Sequence, residues 1–262
     1  MTILTFANWI ETAPGWILSM PESLQRLLFQ FYQVFIFENR WKFFTDGLVT
    51  TFVVTIGALI LGIIIGMIVA LIRSTHDSIS TKPNFILRIL NTICKIYVTV
   101  LRGTPLMVQL LIMGFVVMIP KTTFETNVCA IVTLGINSGA YVAEIARSGI
   151  MSISQGQTEA GRSLGLNFAQ TMFYIILPQA LKNILPALGN ELIALLKETS
   201  LVTVIALQDV TKAAQVIVSK AYTPVIPYIS LALIYLVLVV ILTKHLEILE
   251  RRLRKSERKY YN

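Results

Sequence analysis

The chain has 262 residues, 55% of them hydrophobic and only 14% charged, with a mean hydropathy of +0.72. A soluble domain carries about a quarter charged residues, so this composition excludes an ordinary water-soluble globule and points to a membrane protein. The formal net charge is +8, but seven of the 22 basic residues fall within 244–262, directly after an apolar run, which marks a cytoplasmic membrane flank and not a nucleic-acid surface.

Residues 1–45 read as a separate N-terminal extension. Its first 20 residues lack a basic stretch followed by a clean apolar run, so no cleavable signal peptide is expected. In LQRLLFQFYQVFIF the spacing of Leu and aromatic positions predicts an amphipathic helix on the membrane surface, or else a sixth span broken by Gln30 and Gln33. Five candidate spans follow, at about 48–72, 96–119, 128–146, 184–207 and 224–243, each compatible with the roughly 20 apolar residues a helix needs to cross the hydrocarbon core. In the first, Ala58, Gly62, Gly66 and Ala70 recur every fourth residue; such a stripe lets another helix approach closely, within the subunit or at a dimer seam. The second is interrupted near Arg102-Gly103-Thr104-Pro105, and the fourth by Pro186, Gly189, Asn190, Glu191, Lys197 and Glu198. The fold expected is therefore all-α and polytopic, with about five transmembrane helices in a membrane domain over 46–247 and a basic cytoplasmic tail over 248–262.

Orientation follows from the Lys/Arg asymmetry of the connecting segments. With the N-terminus outside, the inner segments hold Arg73, Lys82, Arg88 and Lys95, then Arg147, Arg162 and Lys182, then the basic tail. The outer segments hold Arg26, Arg40 and Lys42, then Lys121, then Lys212 and Lys220. This places the C-terminus and residues 148–178 in the cytoplasm.

That cytoplasmic segment contains EAGRSLGLNFAQTMFYIILP, a polar helix-forming stretch between two apolar ones. Glu159, Ala160 and Arg162 favour helix, Gly165 permits a sharp turn, and Asn167 is placed to cap a helix running from Ala169 to Ile176. A helical hairpin presenting small residues results, and Glu159 is its natural contact for a basic group on a partner; the alternative is a connecting loop that only packs on the membrane surface. Within the spans, Asn137, Tyr141 and Glu144 fall on one helical face, as do Glu191 and Glu198, with Asn190 and Lys197 on a neighbouring face. Ionisable groups at membrane depth usually face protein or water. They either line a solute path, where they could meet an ammonium and a carboxylate, or pair among themselves, Glu144 with Arg147 or Lys197 with Glu198 of a neighbouring helix. Arg102, beside the Gly103 and Pro105 break, either meets a substrate carboxylate, seals a gate or snorkels to headgroups.

The spacing of Glu159, Ala160, Gly161, Gly165, Leu177 and Pro178 resembles the cytoplasmic EAA loop of the membrane subunits of bacterial ATP-binding-cassette importers, with Gly161 where the motif's name has a second alanine. YVTVLRGTPLMVQLLI (97–112), AYVAEIARSGIMSISQGQTEAGRSLGL (140–166) and LPQALKNILPALGNELIALLKETSLVTVIAL (177–207) look like the polar amino-acid branch of that family. The resemblance implies a type I importer permease fold in a bacterial inner or plasma membrane. It also implies an ATPase subunit bound at the loop, an extracellular solute-binding protein, a second permease copy or paralogue, and a polar amino-acid substrate. Residues 1–45 have no counterpart in it.

No G-x-x-x-x-G-K-[ST] phosphate loop is present, so ATP and Mg would be bound by the partner ATPase and no cofactor is expected in this chain. His76 and His245, the two histidines, join no metal-ligand or nucleophile set, Cys94 and Cys129 are too few for a metal site or disulfide framework, and H-E-x-x-H and G-x-S-x-G are absent. The chain is thus expected to be a transport subunit and not an enzyme. A secondary transporter or channel acting without an ATPase is the alternative.

Overall fold

The structure, a computed structural model, describes residues 5–78 and 84–258. Lys82, the first four residues of the N-terminal extension and the last four of the basic tail lie outside the described residues. Among the described residues there is no strand. The chain divides into two compact units, one formed by residues up to Thr51 together with Gln208–Leu238, the other by Phe52–Leu207 together with Val239 onward.

The first unit begins with three short helices, α1 (Phe6–Ile10), α2 (Gly15–Leu18) and α3 (Glu22–Phe31). Phe29 of α3 meets Phe6 edge-on at 5.6 Å and Trp9 at 5.5 Å, so aromatic contacts hold α1 to α3. A π-helical turn at Tyr32–Ile36 leads to α4 (Trp41–Ser78). Val34 and Phe44 are buried with Val210, Ala213, Ala214 and Ile217 of α11 (Val210–Ala221). The N-terminal residues therefore share a hydrophobic core with a segment far along the sequence. Gly47 permits this closeness, because a Cβ there would lie 2.7 Å from the Asp209 carbonyl oxygen.

The second unit is organised around α7 (Thr123–Met151), opened by a capping box in which Thr122 and Glu125 satisfy each other's backbone N–H groups. Its middle is buried and rich in small residues: Ala130, Gly135, Ser138, Gly139, Ala140, Ala143 and Ala146. These let neighbours pack close on several sides. A Cβ added to Gly62 of α4 would lie 2.9 Å from Ser138 Oγ, and one added to Gly66 would lie 2.6 Å from Val142. The small-residue stripe of the first span is thus spent on packing within the subunit. On another side, Val98 and Cys94 of α5 (Phe85–Gly103) bury against Ala140 and Ala143.

The second span differs from the expected 96–119. Its helix starts at Phe85, and at Thr104 the backbone becomes extended before α6 (Leu106–Ile112), which departs at 105°. Pro105 is the cause: it has no N–H to give the Leu101 carbonyl four residues earlier, and it disfavours helix at the residue before it. Arg88 and Lys95, assigned above to a connecting segment, consequently sit on α5. The fourth span also differs, since its polar residues do not interrupt it; α10 (Leu177–Glu198) is continuous with Pro186 inside and gives way to a 3₁₀ turn only at Thr199–Ile205.

Among the described residues three helices are long and apolar enough to cross a membrane: Trp41–Asp77, Thr123–Met151, and Val225–Leu253 of α12 (Val225–Arg258). The number becomes five if Phe85–Gly103 with Leu106–Val117, and Phe168–Ile205 with Val210–Ala221, each make one interrupted span.

Candidate functional site

After α7 the chain forms the hairpin that its sequence suggested. The Ser154 hydroxyl accepts from the Gly156 N–H at 3.3 Å and starts α8 (Gln155–Ser163). Gly165 adopts φ +82°, while the Leu166 N–H donates to the Gly161 carbonyl and the Gly165 N–H to the Arg162 carbonyl. This is a Schellman closure, which calls for a left-handed residue that glycine fills without steric cost. Asn167 then caps α9 (Phe168–Thr171) in a reciprocal pair with Gln170, both bonds at 2.9 Å. A π-helical turn, Met172–Ile176, continues into α10, where Leu177 and Pro178 form the first turn.

Glu159 and Ala160 stand exposed on α8, whereas Gly161 is its buried residue. A Cβ on Gly161 would lie 2.9 Å from Thr171 Cγ2 and 2.9 Å from Ile175 Cδ1, so the glycine allows the two arms to touch. Alanine there requires a small side-chain shift, but Gly161→Leu is expected to pry the arms apart at about 1–3 kcal/mol, read as faster limited proteolysis within 152–176. Between the hairpin and the end of α4 lies a cavity of 390 Å³, with Asp77, Thr158, Glu159, Arg162 and Phe168 among its lining residues. The base of the hairpin is tied to α7, since Asn183 Nδ2 donates to Ser152 Oγ at 2.9 Å and Gly149 is covered by Ile184.

Of the polar residues singled out within the spans, Asn137, Tyr141 and Glu144 do share a face of α7, directed at α4 and α5. Glu144 is held by Arg73 and, at 3.4 Å, by Arg147, which also reaches Asp77 at 3.6 Å. The expected Glu144–Arg147 pair exists, but Arg73 of α4 is the partner that sequence reasoning missed. The Arg102 guanidinium lies 5.1 Å from the centre of the Tyr141 ring. Asn137 Nδ2 donates to the Leu101 carbonyl at 3.2 Å and to Gln109 Oε1 at 3.0 Å. On α10, Glu191 accepts from Ser138 Oγ at 2.6 Å, while Asn190 and Lys197 are exposed and Glu198 is half-buried. Among the described residues Lys197 makes no ion pair, with Glu198 or any other group.

Gln109 was also missed. Its Nε2 donates to the Leu101 carbonyl at 2.9 Å and to Thr104 Oγ1 at 2.9 Å. Gln109 and Asn137 together replace the N–H that Pro105 lacks, the kind of side-chain compensation a broken helix at membrane depth requires. The signal was available: a proline inside a span leaves the carbonyl four residues earlier in need of a donor, and an amide one turn beyond the break is the natural candidate. The double substitution Asn137→Leu with Gln109→Leu, which takes both donors from the Leu101 carbonyl, is expected to destabilise the protein by about 1–3 kcal/mol, the cost of orphaning a polar group, measurable as a lowered thermal midpoint in detergent.

Helices long and apolar enough to cross a membrane, polar and charged side chains between α4, α5 and α7, and a polar hairpin between α7 and α10 are the features of an integral membrane transport subunit. The chain belongs to the family of binding-protein-dependent transport system inner membrane components, whose model matches residues 62–255. This is the family to which the EAA spacing pointed. The arginine transport system permease protein ArtQ of Bacillus subtilis (strain 168) is 40% identical over 216 residues, spanning 82% of this chain and 94% of the relative. The glutamine transport system permease protein GlnP of Escherichia coli (strain K12) is 34% identical over 211 residues, 80% of this chain and 92% of the relative. Among solved structures, that of an amino acid ABC transporter with histidines matches at 40% identity and a TM-score of 0.71, over 80% of this chain and 94% of that one. The inward-facing MetNI methionine ABC transporter shares the fold at 19% identity and a TM-score of 0.66, over 81% and 97%.

Proposed function

We propose that this chain is the permease subunit of an ATP-driven, binding-protein-dependent amino-acid importer, forming the translocation path and coupling it to a separate ATPase. The observation that carries this reading is the likeness, over four fifths of the chain, to permeases named for arginine and glutamine transport. Hydrolysis of ATP, with its Mg, belongs to the partner chain. The exposed Glu159 and Ala160 on α8, with Gly161, Gly165, Leu177 and Pro178 shaping the hairpin, form the surface on which the ATPase docks. The N-terminus lies outside and the C-terminus in the cytoplasm of a bacterial inner membrane. A second copy or a related chain completes the path, and an extracellular binding protein delivers a polar amino acid. Arg102, Asn137, Tyr141, Glu144, Asn190, Glu191, Lys197 and Glu198 are the path candidates. Because Glu144 is already held by two arginines, its part there is to fix the charge pattern of α4 and α7.

In the proposed cycle, ATPase closure draws the hairpins together. The contact of Gly149 with Ile184 and the bond from Asn183 to Ser152 transmit that movement to α7 and α10, which opens the path outward. Hydrolysis and reopening return it inward. The test is ATPase activity of the chain co-purified with its ATPase in liposomes, with the binding protein and a panel of amino acids. Stimulation by one polar amino acid is expected. Gradient-driven uptake by this chain alone, with no ATPase co-purifying, would overturn the reading.

A further inference from the structure

Helix α5 has three distinct faces. Asn91, Cys94 and Val98 are buried, and Ile89, Ile93, Ile96 and Val100 form an exposed apolar strip. The third face carries Arg88, Thr92, Lys95, Thr99 and Arg102, at intervals of four and three residues, and all five are exposed. Such intervals hold residues on one line along a helix, so the three cations stand about 10 Å apart in rise. Among the described residues none of the three makes an ion pair. A cationic line on a helix that also presents an apolar strip cannot face hydrocarbon, because charged groups within spans turn to protein or to water.

The surroundings indicate what this line meets. Lys95, Thr99 and Arg102 border a 370 Å³ cavity together with Arg73 and Glu144. Arg102 and Glu144 also border a neighbouring cavity of 540 Å³ that extends to Asn183. Glu144 is taken up by Arg73 and Arg147, so its charge does not answer Lys95 or Arg102. Arg102 rests over the Tyr141 ring without a carboxylate. The space is thus polar and left with uncompensated positive charge.

We propose that the Arg88–Thr92–Lys95–Thr99–Arg102 line of α5 faces a water-filled stretch of the transport path and that Lys95 and Arg102 bind the carboxylate of the cargo there. The carboxylate rests on the amino-acid reading above; the water-filled line does not.

The experiment uses the chain assembled with its ATPase in inside-out vesicles, with Thr92→Cys, Thr99→Cys, Ile89→Cys and Ile96→Cys introduced singly. Native Cys94 and Cys129 are buried and set the background. An anionic membrane-impermeant thiosulfonate should modify the cysteines at 92 and 99, several-fold faster than a cationic one of similar size, and should leave those at 89 and 96 unmodified. Lys95→Gln or Arg102→Gln should abolish the charge preference at 99. L-Arginine or L-glutamine should protect position 99, while agmatine and 4-aminobutanamide, which lack the carboxylate, should not. Unreactive cysteines at 92 and 99 would overturn the proposal. A charge preference that appears only when anionic lipid is removed would overturn it in favour of a lipid phosphate. Failure of every amino acid to stimulate the ATPase, with the labelling pattern intact, would count against the importer's cargo and not against the water-filled line.

Discussion

Glu144→Leu is expected to be strongly destabilising, costing about 1–3 kcal/mol of stability. The Arg73 side chain is only 12% exposed and spends its charge on Glu144; a leucine would leave that guanidinium buried and unpaired. Arg147 keeps Asp77 as a second partner, so the penalty falls mainly on Arg73. The double substitution Arg73→Leu with Glu144→Leu removes both charges and should recover most of the loss, because a buried ion pair exchanged for apolar groups is often close to neutral. Thermal unfolding of the two single variants and the double in one detergent closes the cycle. A double variant no more stable than Glu144→Leu would mean that the pair does not account for the loss.

That pair illustrates where the sequence stops being legible. The Glu144–Arg147 contact lies within one helical turn and was readable from spacing. The Arg73 contact joins residues 71 apart, and nothing in periodicity selects it among the arginines. The break at Thr104–Pro105 was visible because proline acts locally, yet the start of the same helix at Phe85 was not. Residues 84–95 include Asn84, Arg88, Asn91, Thr92 and Lys95, so an average over the segment reads as a loop. The average fails because those polar groups are confined to parts of the helix surface while Ile86, Ile89 and Ile93 occupy another. The same error moved Arg88 and Lys95 into a connecting segment and hid the cationic line. In α10 the opposite happened: Pro186, Asn190 and Glu191 suggested a broken span, but packing on α7 keeps the helix continuous to Glu198. The hairpin was the most legible part, since Gly165 and Asn167 each dictate their conformation within a few residues.

Glu159→Lys is expected to abolish uptake while leaving the permease folded. Glu159 is exposed on α8, and among the described residues its carboxylate makes no ion pair or hydrogen bond, while Ser163 Oγ donates to its backbone carbonyl at 2.9 Å. Charge reversal on such a surface changes stability by no more than about 0.5 kcal/mol, so the thermal midpoint of the purified chain should not move. Docking is different. A carboxylate facing a basic group across an interface becomes a like-charge contact on reversal, which costs several kcal/mol, enough to reduce ATPase retention on the permease to background. Glu159→Gln removes the attraction without adding repulsion and should retain part of the ATPase, so an ordering of native, glutamine and lysine separates charge from shape. Gly161→Leu gives the contrasting case, in which the charge is kept but the hairpin is distorted, so ATPase is lost together with proteolytic resistance. If the Glu159→Lys variant retained its ATPase and transported normally, the hairpin would be a structural connector, and the docking surface would have to be sought elsewhere on the chain.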